Sequence, residues 1–220
     1  MITQNLEKIR KELPEHVQLV AVSKTKPVED LQEAFDAGQR IFGENKVQEM
    51  AAKWEMLPKD IEWHFIGHLQ RNKVKYLAPF VSLIHGVESL RLLKEINKQA
   101  MKSNRIIDVL LQFYIANEET KFGLSEEEAE VLLNSEEFKL LENIRIRGVM
   151  GMATFTEDQE KIRGEFQKLQ RIYNDLLRKH FGGVMLFDTI SMGMSGDYTI
   201  AIDEGSTMIR LGSSIFGARN

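Results

Sequence analysis

Residues 17–38 read VQLVAVSKTKPVEDLQEAFDAG, a short apolar run followed directly by an amphipathic segment. The run from Val17 to Ser23 is rich in β-branched residues, which predicts a strand that is buried on both faces. Pro27 begins the amphipathic segment and Gly38 follows it, as expected at the two ends of a helix. This stretch therefore predicts one strand–helix unit.

The same alternation of strand and helix recurs along the whole chain. Apolar runs predict seven further strands, at residues 40–43, 61–66, 81–87, 106–115, 144–150, 189–192 and 207–211. Apolar residues at helical spacing from Ile2 to Leu13 add a helix ahead of the first strand. Strands that alternate with helices imply parallel βαβ units. The pattern predicts an α/β fold, a single (β/α)8 TIM-type barrel over residues 1–220 with an extra N-terminal helix. A doubly wound open sheet is the alternative.

Composition excludes several classes of protein. The 220 residues carry 29 Lys plus Arg against 33 Asp plus Glu, a net charge of −4, so neither nucleic acid nor an anionic membrane is expected as a partner. The chain has no cysteine, which excludes disulfides, thiolate metal ligands and a cysteine nucleophile. Charges interrupt the N-terminus every few residues, unlike a secretory signal. We expect a soluble, cytoplasmic protein.

Lys24 is the first candidate for chemistry, because active sites of such barrels lie at the carboxyl ends of the strands. It follows Val20 and Val22 at a spacing of two, so the three side chains share one face. Desolvation there would favour the neutral amine, which attacks an aldehyde to form a Schiff base. The alternative is a solvated lysine in the loop beside Lys26. Position alone favours neither interpretation.

Glycines and serines after the last two predicted strands indicate a phosphate site. They lie in SMGMSGD at residues 191–197 and in GSS at residues 212–214. Both stretches offer backbone N–H groups and hydroxyls, and barrels frequently bind phosphate after strands 7 and 8. Two ordinary turns would use the same residue types, but their place in the strand order favours phosphate.

Arg210 lies inside the last apolar strand, where a permanently charged guanidinium needs a partner. One interpretation is a structural ion pair with Asp203 or Glu204, and the other is contact with a ligand at the barrel mouth. Taken alone, the residue favours the ion pair. His64, His68 and His85 lie on or beside strands, but no HxH or HExxH spacing connects them, so no metal site is predicted.

Five short motifs carry a resemblance to a known family. They are AVSKTKP at residues 21–27, FGEN at 42–45, WHFIGHLQRNK at 63–73, SMGMS at 191–195 and GSTMIRLG at 205–212. Together, and in this order, they resemble the pyridoxal phosphate homeostasis proteins, which are single-domain relatives of the alanine racemase barrel. The resemblance covers essentially the whole chain.

The resemblance implies a site for pyridoxal 5′-phosphate (PLP). Lys24 would hold PLP as a Schiff base, and Asn45 would lie near the ring. Arg210 would face the pyridine nitrogen and, since an arginine does not protonate it, the ring would be a weaker electron sink than one paired with a carboxylate. The residues that the resemblance places around the phosphate are Ser191, Ser195, Gly212 and Ser213. Further positions near the site that match the family are Lys26, Lys121 and His68.

Three functions remain open at this point. The favoured one is a non-catalytic PLP-binding protein of vitamin B6 homeostasis, which buffers the cofactor or delivers it to recipient PLP-dependent enzymes. The second is a PLP-dependent amino-acid racemase, which needs bases on both faces of the Cα atom. Racemase relatives take one base from a β domain of a partner chain; here the sequence ends at Asn220, so we expect a monomeric carrier. The third is a class I aldolase, in which Lys24 forms an imine with a substrate carbonyl.

Overall fold

The strands close into a barrel in the computed structural model, which describes residues 1–116, 122–183 and 186–217. The eight strands are β1 (Gln18–Val22), β2 (Ile41–Glu44), β3 (Glu62–Phe65), β4 (Leu83–Val87), β5 (Ile107–Gln112), β6 (Ile144–Met150), β7 (Thr189–Ser191) and β8 (Met208–Leu211). Each pairs in parallel with the next, and β1 pairs with β8 from Gln18↔Met208 to Ala21↔Leu211. The predicted (β/α)8 barrel is confirmed, and the open sheet is excluded.

Helices follow most strands and cover the outside of the barrel. They are α1 (Ile2–Glu12), α2 (Val28–Asp36), α3 (Val47–Met56), α4 (Val74–Leu77), α5 (Leu90–Lys102), α6 (Glu126–Asn134), α7 (Glu136–Lys139), α8 (Gln159–Lys179), α9 (Tyr198–Asp203) and α10 (Ser213–Phe216). Helix α1 is the predicted extra helix, and it contacts α2 and α10. The one-turn helices α7 and α10 are too short for apolar periodicity to reveal them. None of the helices within the described ranges is long and apolar enough to cross a membrane.

Strand residues alternate between two apolar cores. The larger core lies between the sheet and the helices and includes Phe42 and Trp63. A small cluster fills part of the barrel interior and consists of Val20, Leu83, Leu110, Met150 and Met208. Side chains two residues apart on a strand lie on the same face of the sheet. The inward face that carries Val20 on β1 and Met208 on β8 therefore continues to the positions nearest the barrel mouth.

Strand β5 is shorter than its apolar run. The run predicts a strand over residues 106–115, but pairing in the sheet ends at Gln112. Phe113 makes only an isolated bridge with Leu124, although Phe113 and Ile115 are both buried. The prediction was wrong there because burial under the α-helical layer keeps a segment apolar whether or not it pairs in the sheet.

Strands β6 and β7 approach each other very closely at Gly148. This residue has φ of +152°, and a Cβ atom built there would lie 1.8 Å from the carbonyl oxygen of Thr189. The neighbouring ladder between β5 and β6 shifts register at Val109 and Leu110. Only glycine fits this position, because any side chain would overlap the backbone of β7.

Candidate functional site

A cavity of about 560 Å³ opens at the carboxyl ends of the strands. Six of the seven predicted site residues line it: Lys24, Asn45, Ser195, Arg210, Gly212 and Ser213. Asn45 directly follows β2, and Lys24 lies two residues after the end of β1. The other four belong to β8, to the turns after β7 and β8, or to the start of α10. Another hollow of about 510 Å³, lined by Gln170 and Gly205, lies near the amino end of β8 and holds none of the predicted residues. The structure therefore brings together residues from both ends of the sequence.

Ser191, the seventh predicted residue, is fully buried and does not line the cavity. Its Oγ accepts a hydrogen bond from Nη1 of Arg210 at 2.5 Å and lies 3.0 Å from Nδ1 of His85. Nε2 of His85 lies 3.1 Å from Nδ1 of His64. Nη2 of Arg210 donates to the carbonyl oxygen of Gly151 at 3.2 Å. These contacts fix the guanidinium at the barrel mouth, while a contact between Ser191 and a phosphate stays a prediction.

The direction of each hydrogen bond in this buried series of side chains follows from the chemistry of Arg210. Arg210 is a donor only, so Ser191 accepts from it and has its own hydroxyl hydrogen to donate to Nδ1 of His85. His85 then carries its proton on Nε2 and donates to Nδ1 of His64. Both imidazoles are neutral in this arrangement. Sequence spacing did not reveal the pair, because the two residues lie on neighbouring strands.

The predicted ion pair of Arg210 with Asp203 or Glu204 is wrong. Both carboxylates lie against Arg163 of α8: Glu204 accepts a hydrogen bond from its Nη1, and Asp203 lies 3.6 Å from its Nη2. Burial lowers the pKa of Arg210 to about 10, and the negative charge of Asp197 opposes this shift. Arg210 therefore remains a cation at neutral pH, and its side chain lines the cavity.

Burial also shifts the pKa values of the two histidines. It lowers the pKa of His64 to about 3. It places the pKa of His85 well below its ordinary value, and the charges of His64 and Arg210 lower it further. The folded protein therefore keeps both rings neutral in mildly acidic solution, whereas an unfolded chain protonates histidine below about pH 6.5.

This difference predicts an acid-sensitive fold. In this pH range His64 is protonated in the unfolded chain but stays neutral in the folded protein. The free energy of unfolding therefore decreases as the pH falls from about 6.5 towards 3. At pH 5, His64 alone is expected to lower the free energy of unfolding by about 2 kcal/mol relative to pH 7.5. Urea unfolding at the two pH values measures the loss, and it should shrink by about that amount in His64→Gln. An equal pH dependence in both proteins would contradict a neutral buried His64; the exposed His16→Gln serves as the control.

The turns after β7 and β8 lie side by side at the cavity. The N–H of Gly212 donates to Oγ of Ser195 at 3.4 Å, and Ser213 is exposed. The N–H of Met194 donates to Oδ1 of Asp197 at 2.6 Å, which holds the turn after β7. Two hydroxyls and a glycine backbone at one wall suit an anionic group with several oxygens.

Several lining residues were missed by sequence reasoning. Thr154, Phe155 and Thr156 come from the segment between β6 and α8. The segment between β6 and α8 has no glycine-rich or periodic pattern, so only the barrel geometry reveals that it turns over the cavity. Phe155 is fully exposed at the rim.

Of the other residues predicted near the site, one lines the cavity and one does not. Lys26 lines the cavity, and its Nζ donates to the carbonyl oxygen of Phe216 at 3.1 Å. His68 is exposed, lies 3.2 Å from Glu88 and lines a separate surface hollow. Lys121 lies outside the described residues. Within the ranges that are described, no group of three or more His, Cys, Asp and Glu could hold a metal ion.

The fold and the cavity define a class: a parallel eight-stranded barrel with a lysine after β1 and an arginine on β8, both at the mouth. The chain matches the family described as "Alanine racemase, N-terminal domain" over residues 1–220, and it belongs to that family. Within it, the chain is a member of the pyridoxal phosphate homeostasis proteins, as the sequence motifs predict.

Three relatives illustrate the match. The pyridoxal phosphate homeostasis protein of Aquifex aeolicus is 41% identical over 203 residues, covering 91% of this chain and 86% of the relative. That of Vibrio alginolyticus is 40% identical over 234 residues, covering 100% of this chain and 98% of the relative. The structure of PipY of Synechococcus elongatus with PLP bound has a TM-score of 0.89 and 33% identity, covering 99% of this chain and 100% of that one.

Proposed function

We propose that this protein binds PLP in the cavity at the carboxyl ends of the strands, with Lys24 forming a Schiff base to the aldehyde. Its role would be vitamin B6 homeostasis, by buffering PLP or delivering it to recipient PLP-dependent enzymes, without obligatory substrate turnover. The observation that carries the proposal is the meeting of Lys24, Arg210 and two hydroxyl-bearing turns in one cavity. Support comes from the PLP-bound PipY structure and from the names of the curated relatives.

The polar groups of the cavity fit the functional ends of PLP. Lys24 supplies an amine for an aldehyde, and Arg210 supplies N–H donors for a pyridine nitrogen. Ser195 and Ser213 supply hydroxyls for phosphate oxygens. A volume of about 560 Å³ lies in the range of about 300–1,000 Å³ usual for small-molecule sites.

Each side chain has a definable task. Lys24 would hold PLP through its amine, which can form a Schiff base with an aldehyde, the carbonyl oxygen leaving as water. Arg210 would hold the ring by hydrogen bonds and would keep its own protons, because its pKa of about 10 lies above neutral pH. When bound, PLP supplies an electrophilic carbonyl and an electron sink.

The described walls of the cavity favour a carrier over a racemase. No tyrosine lines it within the described residues, and its ionisable lining side chains there are Lys24, Lys26, Asp197 and Arg210. Asp197 accepts the N–H of Met194, and burial raises its pKa. Lys26 donates to the carbonyl of Phe216. A second base poised on the face opposite Lys24 is therefore not apparent among these groups.

The carrier proposal predicts negligible racemisation. We expect the PLP-loaded protein to exchange the α-deuterium of L-alanine no faster than an equal concentration of free PLP with Lys24→Ala. Proton NMR of alanine measures the exchange, and an authentic alanine racemase is the positive control. Turnover at about 1 s⁻¹ or faster would favour the racemase instead. A protein that binds no PLP but forms an imine with a ketone or aldehyde substrate would favour the aldolase.

We also propose that residues 1–220 act as one PLP-binding domain and that the protein works as a cytoplasmic monomer. Support comes from the cavity, since all six predicted residues that line it belong to one chain. Light scattering on the PLP-loaded protein should give the monomer mass of 25.4 kDa. A stable dimer at micromolar concentration would contradict this part of the proposal.

A further inference from the structure

The residue after Lys24 has an unusual backbone conformation. Thr25 has φ of +65°, and Asn104 is the other non-glycine residue with positive φ in the described part of the chain. A β-branched residue rarely adopts this region, because its Cβ crowds the backbone. Such a conformation persists only where its surroundings enforce it, and such sites are often functional.

A cluster of charged side chains, Glu44, Glu49 and Lys53, binds the residues on both sides of Lys24. The N–H of Thr25 donates to Oε1 of Glu49 at 2.6 Å. Oγ of Ser23 donates to Oε1 of Glu44 at 2.6 Å. The two residues that flank Lys24 are therefore bound to two different carboxylates.

Lys53 of α3 joins the two carboxylates. Its Nζ donates to Glu44 at 2.7 Å, to Glu49 at 2.8 Å and to the carbonyl oxygen of Ser23 at 2.8 Å. These three contacts use all three donors of the ammonium group. The side chains of Lys53, Glu44 and Glu49 are 6%, 0% and 22% exposed, so water competes little for these bonds.

An ion pair that only stabilised α3 against the barrel would not need to bind the backbone around Lys24. Here three of the bonds of the cluster end on Ser23 or Thr25, at an N–H, a carbonyl and a hydroxyl. The direction in which a side chain leaves the backbone depends on the φ and ψ angles of its own residue and its neighbours. Fixing both neighbours therefore restricts the direction in which the Cα–Cβ bond of Lys24 leaves the backbone.

We propose that Glu44, Lys53 and Glu49 are positioning residues, which hold Ser23 and Thr25 so that the amine of Lys24 stays directed into the cavity. The proposal rests on the proposed function, since it assigns these residues to the capture of PLP by Lys24. Glu49 has the most specific part, because it alone of the three binds the N–H of the strained Thr25.

This role makes a suppressor possible. If Glu49 acts by keeping Thr25 at positive φ, glycine at position 25 removes the need for it, because glycine adopts that conformation without steric cost. Thr25→Gly should therefore compensate for Glu49→Ala. Asn104→Gly is the matched control: it relieves the other positive-φ residue, which lies between α5 and β5, away from the cavity.

The experiment compares Glu49→Ala, Glu49→Gln, the double variant Glu49→Ala/Thr25→Gly and Asn104→Gly with the wild type. One readout is the rate constant for the rise of Schiff-base absorbance after mixing with PLP. The other needs no PLP: the rate of reductive methylation of Lys24 in the unloaded protein, followed by peptide mapping. Urea unfolding records the stability of every variant.

Glu49→Ala is expected to slow both reactions of Lys24 by about tenfold, as displacement of a reacting group by a fraction of an ångström does. Glu49→Gln keeps an acceptor oxygen and should stay within about threefold of the wild type. The double variant should also return to within about threefold, and Asn104→Gly should match the wild type.

Either of two results would overturn the inference: unchanged Lys24 rates in a folded Glu49→Ala variant, or no recovery in the folded double variant. Failure of the proposed function would look different. In that case wild-type Lys24 would not be trapped by PLP at all, although its methylation rate could still respond to Glu49.

Discussion

Lys24→Ala is expected to abolish covalent capture of PLP. Borohydride reduces a C=N bond to a stable amine, so treatment of the PLP-incubated wild type should leave a phosphopyridoxyl group that peptide mapping places at Lys24. The variant should show no label above the level of surface lysines. Lys24 lies at the cavity two residues after the end of β1, and alanine at this position has no nucleophile with which to form the bond.

Lys26→Ala is the matched control for this experiment. Lys26 lines the same cavity, but its Nζ donates to the carbonyl oxygen of Phe216. Its replacement should leave the adduct at Lys24 in place. Absence of label in the wild type, or label scattered over many lysines, would contradict the Schiff base. The hydroxyl-bearing turns would then indicate a different phosphorylated ligand.

Gly148→Ala is expected to produce the largest loss of stability. The added Cβ would lie 1.8 Å from the carbonyl oxygen of Thr189, so β6 and β7 must separate, and φ of +152° is itself unfavourable for alanine. Overpacking and backbone strain together should lower the free energy of unfolding by about 3 kcal/mol or more. Urea unfolding followed by circular dichroism measures the change.

Gly164→Ala is the opposite case and controls for the substitution itself. Gly164 lies within α8, and no atom outside the helix backbone lies within 4 Å of a Cβ built there. Alanine should therefore stabilise the protein by about 0.5–1 kcal/mol, since glycine is a poor helix former. If Gly148→Ala unfolded within 1 kcal/mol of the wild type, the close approach of β6 and β7 would be contradicted.

Local sequence pattern predicted the strands and most helices, and the number of units favoured a barrel, but local pattern by itself could not exclude an open sheet. Apolar runs and helix-end signals depend on neighbours along the chain, so most of the strands and helices between residues 17 and 211 could be identified one by one. Closure depends on pairing between β1 and β8, for example Val20↔Arg210. No local pattern encodes a contact between residues so far apart.

The same limit applies to the site. Lys24 and Arg210 were identifiable because a charged side chain in an apolar strand is conspicuous, and the family motifs added Asn45 and the two turns. The contact between His64 and His85 was not predictable, since it depends on the register of β3 and β4. The conformation of Thr25 was also missed, because a positive φ is expected of glycine or asparagine rather than threonine.

The pairing of the first strand with the last also bears on the order of events during synthesis. Lys24 leaves the ribosome well before β8 and the serine-bearing turns, and Lys26 contacts Phe216, which lies 190 positions further along the chain. A nascent chain therefore contains the amine of Lys24 before it contains the serine-bearing turns proposed to bind the phosphate. On the proposed function, capture of PLP would become specific only when β1 pairs with β8. A ligand that binds only the closed barrel stabilises it relative to any opened form. If Lys24 captures PLP as proposed, completion of folding and competence to bind this reactive aldehyde are one event.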